Sequence, residues 1–167
     1  MTHPARPSIR HHPLSTLACL ALVALVSTPA RAAAPLDDFI DAPGRHWLVL
    51  SGVSHHFQPD RRDWRESNPG AGIEKEFTGT PWVATAGYFR NSYDRNTFYA
   101  GARWMPLALG PLRLGAFGLI ASGYPSPVLL LPAALIQMGR VGANLVAIPN
   151  LPGYSGYLGL QVRFAVD

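Results

Sequence analysis

The chain has 167 residues, which is the size of one domain, and it carries a formal charge of +4. Three of its 14 basic residues, Arg6, Arg10 and Arg31, lie in the first 32 positions, so the rest has a balance of +1 and lacks the basic character of a nucleic-acid-binding protein. The single cysteine, Cys19, lies in the same segment, which excludes disulfides and cysteine-based metal sites from the remainder.

The first 32 residues have the pattern of a secretory signal peptide. Arg6 and Arg10 precede an apolar run at positions 14–26, and small residues that fit a cleavage site follow. The run is too short for a membrane-spanning helix, which needs about 20 apolar residues. We therefore interpret residues 1–32 as a signal peptide and residues 33–45 as a leader that forms a short interfacial helix.

The remainder shows strand-like alternation, with apolar residues on one face and polar or small residues on the other. The clearest case is the segment 157–164, and the segments 97–104, 112–120 and 140–147 repeat it, each with an arginine or an amide on the polar face. A soluble sandwich would have to bury these arginines or expose the apolar stripes, and both are unfavourable. A small membrane barrel places the stripes in lipid and the arginines in the lumen.

Breaks rich in Pro, Gly and Asn divide the region 46–167 into eight segments. The seven breaks lie at 59–69, 79–81, 91–96, 106–111, 123–127, 138–139 and 150–153. An even number of strands is typical of bacterial barrels. The sequence therefore predicts an all-β fold, an eight-stranded antiparallel transmembrane β-barrel with up-and-down strand order.

Charged side chains are expected inside this barrel. Glu74 and Glu76 share one face of the second predicted strand. A lone buried charge costs several kcal/mol. We therefore expect the two carboxylates to pair in the lumen with Arg103, Arg113 or Arg163.

Two histidines end the first predicted strand, in the stretch SGVSHHF. Alternation places His56 on the lumen face together with Leu50, and His55 on the lipid face together with Val49 and Val53. Adjacent strand residues point apart, so the two rings do not share a metal ion. The alternative is that both histidines are only polar residues of the membrane interface.

The turn after the third predicted strand contains Asn91 and Ser92. Odd-numbered strands of a meander end at the same rim, so His56 and Ser92 are expected to meet at one rim. A histidine and a hydroxyl are the minimum for base-assisted acyl chemistry, in which the imidazole accepts or donates a proton at an ester. The alternative is an ordinary hairpin turn.

Three stretches of the chain carry a family resemblance. They are YFRNSYDRNTFYAGARW at 88–104, SPVLLLPAALIQMGRVGANLVAIPNLPG at 126–153, and SHHF followed by NPGAGIE. These stretches resemble the lipid A palmitoyltransferases of Gram-negative outer membranes, the PagP family, and the resemblance covers about residues 46–167. It implies an outer-membrane barrel, monomeric and without a cofactor, that moves an acyl chain from a phospholipid to lipid A.

The resemblance also implies roles for single residues. His56, or else His55, takes the position of the family's histidine, and Ser92 takes that of its serine. Asn91 stands at the position of an aspartate, and Arg103 stands where the family has a glycine at the floor of the acyl pocket. The residues expected to form the pocket or the lumen are Gly101, Arg103, Glu74 and Glu76. The prolines expected to open a lateral gate for lipids, because proline lacks an N–H group, are Pro127, Pro132 and Pro149.

Two departures from the family leave a second interpretation open. Asn91 carries no charge that could orient the histidine, and Arg103 would shorten or close the acyl pocket. The chain is then a non-catalytic barrel with a structural or envelope-interaction role, which keeps the fold but not the reaction.

Overall fold

The computed structural model describes residues 41–57, 64–150 and 155–166, and the barrel lies in the compact unit that begins at Ala42. Eight antiparallel strands follow one another around a closed barrel, in which the last strand pairs with the first. The strands are β1 Gly44–His56, β2 Ser67–Phe77, β3 Trp82–Arg90, β4 Asn96–Leu109, β5 Leu112–Ala121, β6 Val128–Met138, β7 Val141–Ile148 and β8 Tyr157–Ala165. The eight-stranded, up-and-down transmembrane barrel predicted from the alternation is confirmed.

Most of the N-terminal predictions concern residues that the structure does not describe. The signal peptide at 1–32 and most of the leader at 33–45 lie outside the described residues, and β1 begins at Gly44, within the segment assigned to the leader. Across the described ranges, no helix is long and apolar enough to cross a membrane.

Two of the predicted breaks are shorter than expected. β4 continues to Leu109 instead of ending at Pro106, because a register irregularity between Trp104 and Leu107 accommodates the proline. β2 begins at Ser67 and so includes Pro69, which lies opposite a register irregularity of β1 and need not donate to the ladder.

The connections differ in length between the two ends of the barrel. The connections 78–81, 110–111 and 139–140 lie at one end, which we call the short-turn rim. Gly110 and Gly139 have φ values of 61° and 65°, a backbone region that favours glycine. The connections 57–66, 91–95, 122–127 and 149–156 lie at the other end, which we call the long-loop rim.

The outer surface is apolar along the strands. Large exposed side chains, among them Ile73, Phe98, Leu107, Ile120 and Leu130, face outward. Aromatic pairs lie near the two ends: Trp82 with Trp104 towards the short-turn rim, and Tyr88 with Phe98 towards the long-loop rim. An apolar band between aromatic belts is the surface of a transmembrane barrel.

The first strand changes the side on which its odd-numbered residues lie. Val49 is fully buried in the lumen and Leu50 faces outward, so the expectation for these two residues was wrong. A register irregularity between Ser51 and Val53 shifts the alternation by one residue. Beyond it, His55 faces outward and His56 inward, as expected.

The lumen has two layers. Towards the short-turn rim, Glu74 pairs with Arg103 and Arg163, and Glu76 pairs with Arg113 and Arg163, which confirms the expected internal ion pairs. The second layer, towards the long-loop rim, contains an apolar cluster that includes Tyr99, Phe117, Leu119, Ala121 and Leu131.

Candidate functional site

His56 is held at the end of β1 between two aromatic rings. Its ring stacks on Trp64 at a centroid distance of 4.6 Å and on Tyr157 at 5.6 Å. Its backbone N–H donates to the Glu66 carboxylate at 3.0 Å, and Nδ1 has no hydrogen-bond partner among the described residues. The stacking therefore fixes the orientation of the imidazole, and Nδ1 is not bound by any residue of the described ranges.

His55 lies on the opposite side of the strand. Its side chain is 65% exposed, and its Nδ1 lies 3.2 Å from the Glu66 carboxylate. Of the two histidines that the sequence left open, the structure places only His56 in the interior.

Asn91 is fully buried, and its side-chain amide shapes the loops. Its Oδ1 accepts hydrogen bonds from the backbone N–H groups of Tyr93 and Arg95, at 2.9 and 3.0 Å. Its Nδ2 donates to Thr97 Oγ1 at 2.9 Å and to the Gly123 carbonyl at 3.1 Å. These four bonds hold the β3–β4 hairpin that carries Ser92. They do not reach the histidine, so Asn91 acts on the backbone beside Ser92 and does not orient an imidazole.

Ser92 and His56 line one open cavity at the long-loop rim. This cavity has a volume of about 470 Å³, and its wall includes Trp64, Tyr124 and Leu129. The two residues therefore lie at the same rim, as expected, and they line the same cavity there.

A second cavity continues from Ser92 into the barrel. It has a volume of about 80 Å³ and a mainly apolar wall that also includes Ser54, Asn68 and Gln161. Residues that line both cavities are Ser92, Tyr124, Leu129, Leu131 and Tyr157. The two cavities therefore adjoin each other, one at the rim beside the histidine and the other deeper in the barrel.

The inner cavity borders the charged layer of the lumen. Phe117 and Gln161 line the inner cavity. The Arg103 guanidinium lies 4.2 Å from the centre of the Phe117 ring and donates to Gln161 Oε1 at 2.9 Å. Arg103 therefore lies behind Phe117 and Gln161, which form the floor of the inner cavity, and neither Glu74 nor Glu76 is among the described residues that line it.

Gly101 lies on the lumen face of β4, between Tyr99 and Arg103, but it does not line the inner cavity. Among the described residues that line the inner cavity, the β4 residue is Tyr99 and not Gly101. A Cβ atom at Gly101 would lie 2.2 Å from the Gly118 carbonyl oxygen of β5. The glycine permits the close approach of two strands and does not shape the cavity.

Two of the three prolines flank an interruption between β6 and β7. The ladder between these strands ends at Ala133, although β6 continues to Val128 towards the long-loop rim. Pro132 is the first β6 residue beyond the ladder, and Pro149 follows the end of β7. Pro127 precedes β6, and its carbonyl accepts a hydrogen bond from the backbone N–H of Ala121 at 2.8 Å.

The structure adds polar residues that the sequence reading did not assign to the site. Ser54 Oγ lies 3.3 Å from Ser92 Oγ, and it donates to Asn68 Oδ1 at 2.7 Å. Ser54 precedes His56 by two strand positions, so the alternation alone could have indicated it. Asn68 was assigned to a turn, and no signal in the sequence placed it beside Ser54.

Comparisons with known proteins support the fold. No family model matches the chain, and no curated protein matches it either. Among solved structures, a de novo designed transmembrane β-barrel superposes with a TM-score of 0.53 at 11% identity, over 74% of this chain and 97% of the design. The solution structure of the designed barrel TMB2.3 gives a TM-score of 0.47 at 15% identity, over 76% and 98% of the two chains. The first of these likenesses shows a transmembrane barrel fold and nothing about activity.

Proposed function

We propose that this protein is an outer-membrane acyltransferase that moves an acyl chain from a phospholipid to lipid A. The observation that carries the proposal is the cavity shared by His56 and Ser92, because it adjoins a mainly apolar inner cavity that also has Ser92 in its wall. A base and a hydroxyl at the mouth of an apolar slot suit a substrate with a polar ester and a hydrocarbon tail.

His56 is the general base of the proposed reaction. A hydroxyl group of lipid A attacks the ester carbonyl carbon of the phospholipid, and its proton passes to the imidazole. The new ester C–O bond forms as the bond to the glycerol oxygen breaks, and His56 returns the proton to that oxygen. Ser92 is the hydroxyl beside this base, and Asn91 positions it through the hairpin. The step balances without a cofactor.

The acyl chain of the donor passes through the outer cavity and ends in the inner one. The depth that the chain reaches is limited by Phe117 and Gln161, which contact Arg103. Ion pairing to Glu74 fixes the arginine in place, so the floor cannot move aside at low cost. We therefore expect a preference for acyl chains shorter than a palmitoyl chain.

The long-loop rim is assigned to the outer face of the membrane. Barrels of bacterial outer membranes have short periplasmic turns and longer extracellular loops. This orientation brings His56 and Ser92 to the leaflet that contains lipid A. The end of the β6–β7 ladder at Ala133 lies on the same side, and the gap beyond it, flanked by Pro132 and Pro149, is the proposed lateral entry for lipids.

The test is acyl transfer by the refolded protein in lipid vesicles that contain lipid A and phospholipids of defined chain length. Mass spectrometry of lipid A is expected to show an added acyl group with the wild-type protein. The variants His56→Phe, which keeps a ring between Trp64 and Tyr157, and Ser92→Ala are expected to lose it. His55→Ala is the matched control, since His55 faces outward and 65% of its side chain is exposed.

Two results would contradict the proposal. Normal transfer by His56→Phe and Ser92→Ala would remove these residues from the chemistry. A wild-type barrel that is correctly folded and transfers none of the chains offered would instead favour the non-catalytic barrel, whose lumen is stabilised by the ion pairs around Glu74.

A further inference from the structure

The hydroxyl of Ser92 has a neighbour that the proposed reaction does not use. Ser92 Oγ lies 3.3 Å from Ser54 Oγ, and Ser54 Oγ lies 2.7 Å from Asn68 Oδ1. Ser54 and Asn68 are both buried, on β1 and β2. Three polar groups thus form a hydrogen-bonded chain in the wall of the inner cavity.

The amide of Asn68 fixes the direction of this chain. Asn68 Nδ2 lies 3.0 Å from the Arg90 carbonyl oxygen and 3.5 Å from the Arg65 carbonyl oxygen. Carbonyl oxygens only accept, so the NH₂ group must face them, and the amide oxygen must face Ser54. The reversed amide would place its oxygen against the Arg90 carbonyl and its NH₂ group at Ser54.

The proton of each hydroxyl can then be assigned. Ser54 has one hydroxyl proton, and it donates this proton to Asn68 Oδ1. In its contact with Ser92, the Ser54 oxygen is therefore the acceptor and Ser92 is the donor. With its proton directed to Ser54, Ser92 presents only lone pairs to the cavity.

We infer that Ser54 and Asn68 are positioning residues, which hold the Ser92 hydroxyl as a hydrogen-bond acceptor for the hydroxyl group of the acyl acceptor. The inference rests on the proposed function and assigns Ser92 a role within it. Ser92 itself forms and breaks no covalent bond: it directs the acceptor oxygen to the ester carbonyl while His56 takes the proton. Asn91 does not orient the Ser92 hydroxyl, because its side-chain amide is hydrogen-bonded to the backbone of the hairpin and to the Gly123 carbonyl.

The test compares Ser54→Thr with Ser54→Val, two side chains of nearly equal shape that differ in the hydroxyl. The threonine variant keeps the acceptor for Ser92 and is expected to retain kcat within about three-fold. The valine variant is expected to lose about ten-fold in kcat, which corresponds to the free-energy contribution of one hydrogen bond. KM for the phospholipid and the pH profile of kcat are expected to be unchanged, since the base is still His56. Equal kcat for the two variants would overturn the inference.

A second measurement does not depend on turnover. The side-chain amide signals of Asn68, observed by NMR of the refolded barrel in detergent micelles, are expected to move in Ser54→Val and to stay in place in Ser54→Thr. Unmoved signals in the valine variant would overturn the hydrogen-bonded chain. If Ser92→Ala keeps full activity, the proposed function fails at this residue. If Ser92→Ala is inactive while Ser54→Thr and Ser54→Val are equally active, only the positioning role fails.

Discussion

The side-chain amide of Asn91 donates a hydrogen bond to the carbonyl oxygen of Gly123, 3.1 Å away, and so joins the β3–β4 hairpin to the β5–β6 loop. The same NH₂ group donates to Thr97 Oγ1 at 2.9 Å. Thr97 can only accept there, because its own proton goes to the Ser122 carbonyl at 3.0 Å. Both bonds need an NH₂ group, which a carboxylate lacks. The packing of two loops therefore requires an asparagine at the position where the family resemblance implies an aspartate.

We expect Asn91→Asp to weaken the barrel and not to improve acyl transfer. The substitution removes two donated hydrogen bonds and places a carboxylate oxygen against the Gly123 carbonyl in a fully buried position. The expected loss in the free energy of unfolding is about 1–3 kcal/mol. It is measured by urea unfolding of the refolded protein in lipid vesicles, followed by tryptophan fluorescence.

Asn96→Asp is the control for this substitution. Asn96 lies at the other side of the hairpin, is exposed, and uses its Oδ1 to accept from the Tyr88 hydroxyl and from Arg90, at 2.9 and 3.0 Å. A carboxylate accepts equally well, so the change is expected to stay within about 0.5 kcal/mol. Equal stability of Asn91→Asp and Asn96→Asp would contradict the role given to the Asn91 amide.

The fold followed from the sequence because its signals are local. Alternation within each strand was enough to place Arg103, Arg113 and Arg163 inside, and the rule that buried charges pair then indicated Glu74 and Glu76 as their partners. Alternation failed only where a strand is irregular. Val49 and Leu50 exchange sides because the register of β1 shifts between Ser51 and Val53, and such an irregularity has no marked sequence pattern.

The site followed only in part, because its contacts join distant positions. His56 and Ser92 were brought to one rim by counting strands. The bond from Asn91 to Gly123 spans 32 residues, and the contact of Ser54 with Ser92 spans 38. The first contact depends on how two loops pack together, and the second depends on how a loop packs against β1. The alternation of side chains and the residues typical of turns describe one segment at a time, so they do not predict contacts between distant segments.

The buried ion pairs give the second prediction. Glu74 accepts from Arg103, from Arg163 at 3.3 Å and from Asn144 at 2.8 Å, and neither it nor the two arginines are exposed. Glu74→Gln leaves the buried guanidinium group of Arg103 without a countercharge and leaves Arg163 paired with Glu76 alone, and it is expected to cost about 3–5 kcal/mol of unfolding free energy. Glu76→Gln is the comparison, and it is expected to cost less because the side chain of Glu76 is 18% exposed near the short-turn rim. Urea unfolding of both variants in lipid vesicles measures the difference, and a larger loss for Glu76→Gln would contradict the argument that the cost follows the burial of the carboxylate.

The third prediction concerns the length of the acyl chain. Leu119 and Phe117 lie on the same inward face of β5, and both line the inner cavity. Leu119→Phe fills part of the cavity and is expected to shift transfer towards shorter chains, whereas Phe117→Leu removes part of the floor and is expected to shift it towards longer ones. The measurement is competition between phospholipids of several chain lengths, with lipid A products separated by mass. The same product distribution for both variants and the wild-type protein would show that the chain does not enter this cavity.

The fourth prediction uses two glycines that lie near each other on neighbouring strands. A Cβ atom at Gly101 would lie 2.2 Å from the Gly118 carbonyl oxygen and 2.7 Å from the Leu119 Cα atom, both of them backbone atoms that cannot move without separating β4 from β5. A Cβ atom at Gly118 would meet only a flexible methyl group of Leu130, at 3.9 Å. We therefore expect Gly101→Ala to reduce the folded fraction strongly and Gly118→Ala to fold like the wild-type protein. The folded fraction is read from the different gel mobility of the folded and heat-unfolded barrel in the presence of detergent. If both alanine variants fold equally well, Gly101 is not needed for strand approach, and a role in the pocket would have to be considered again.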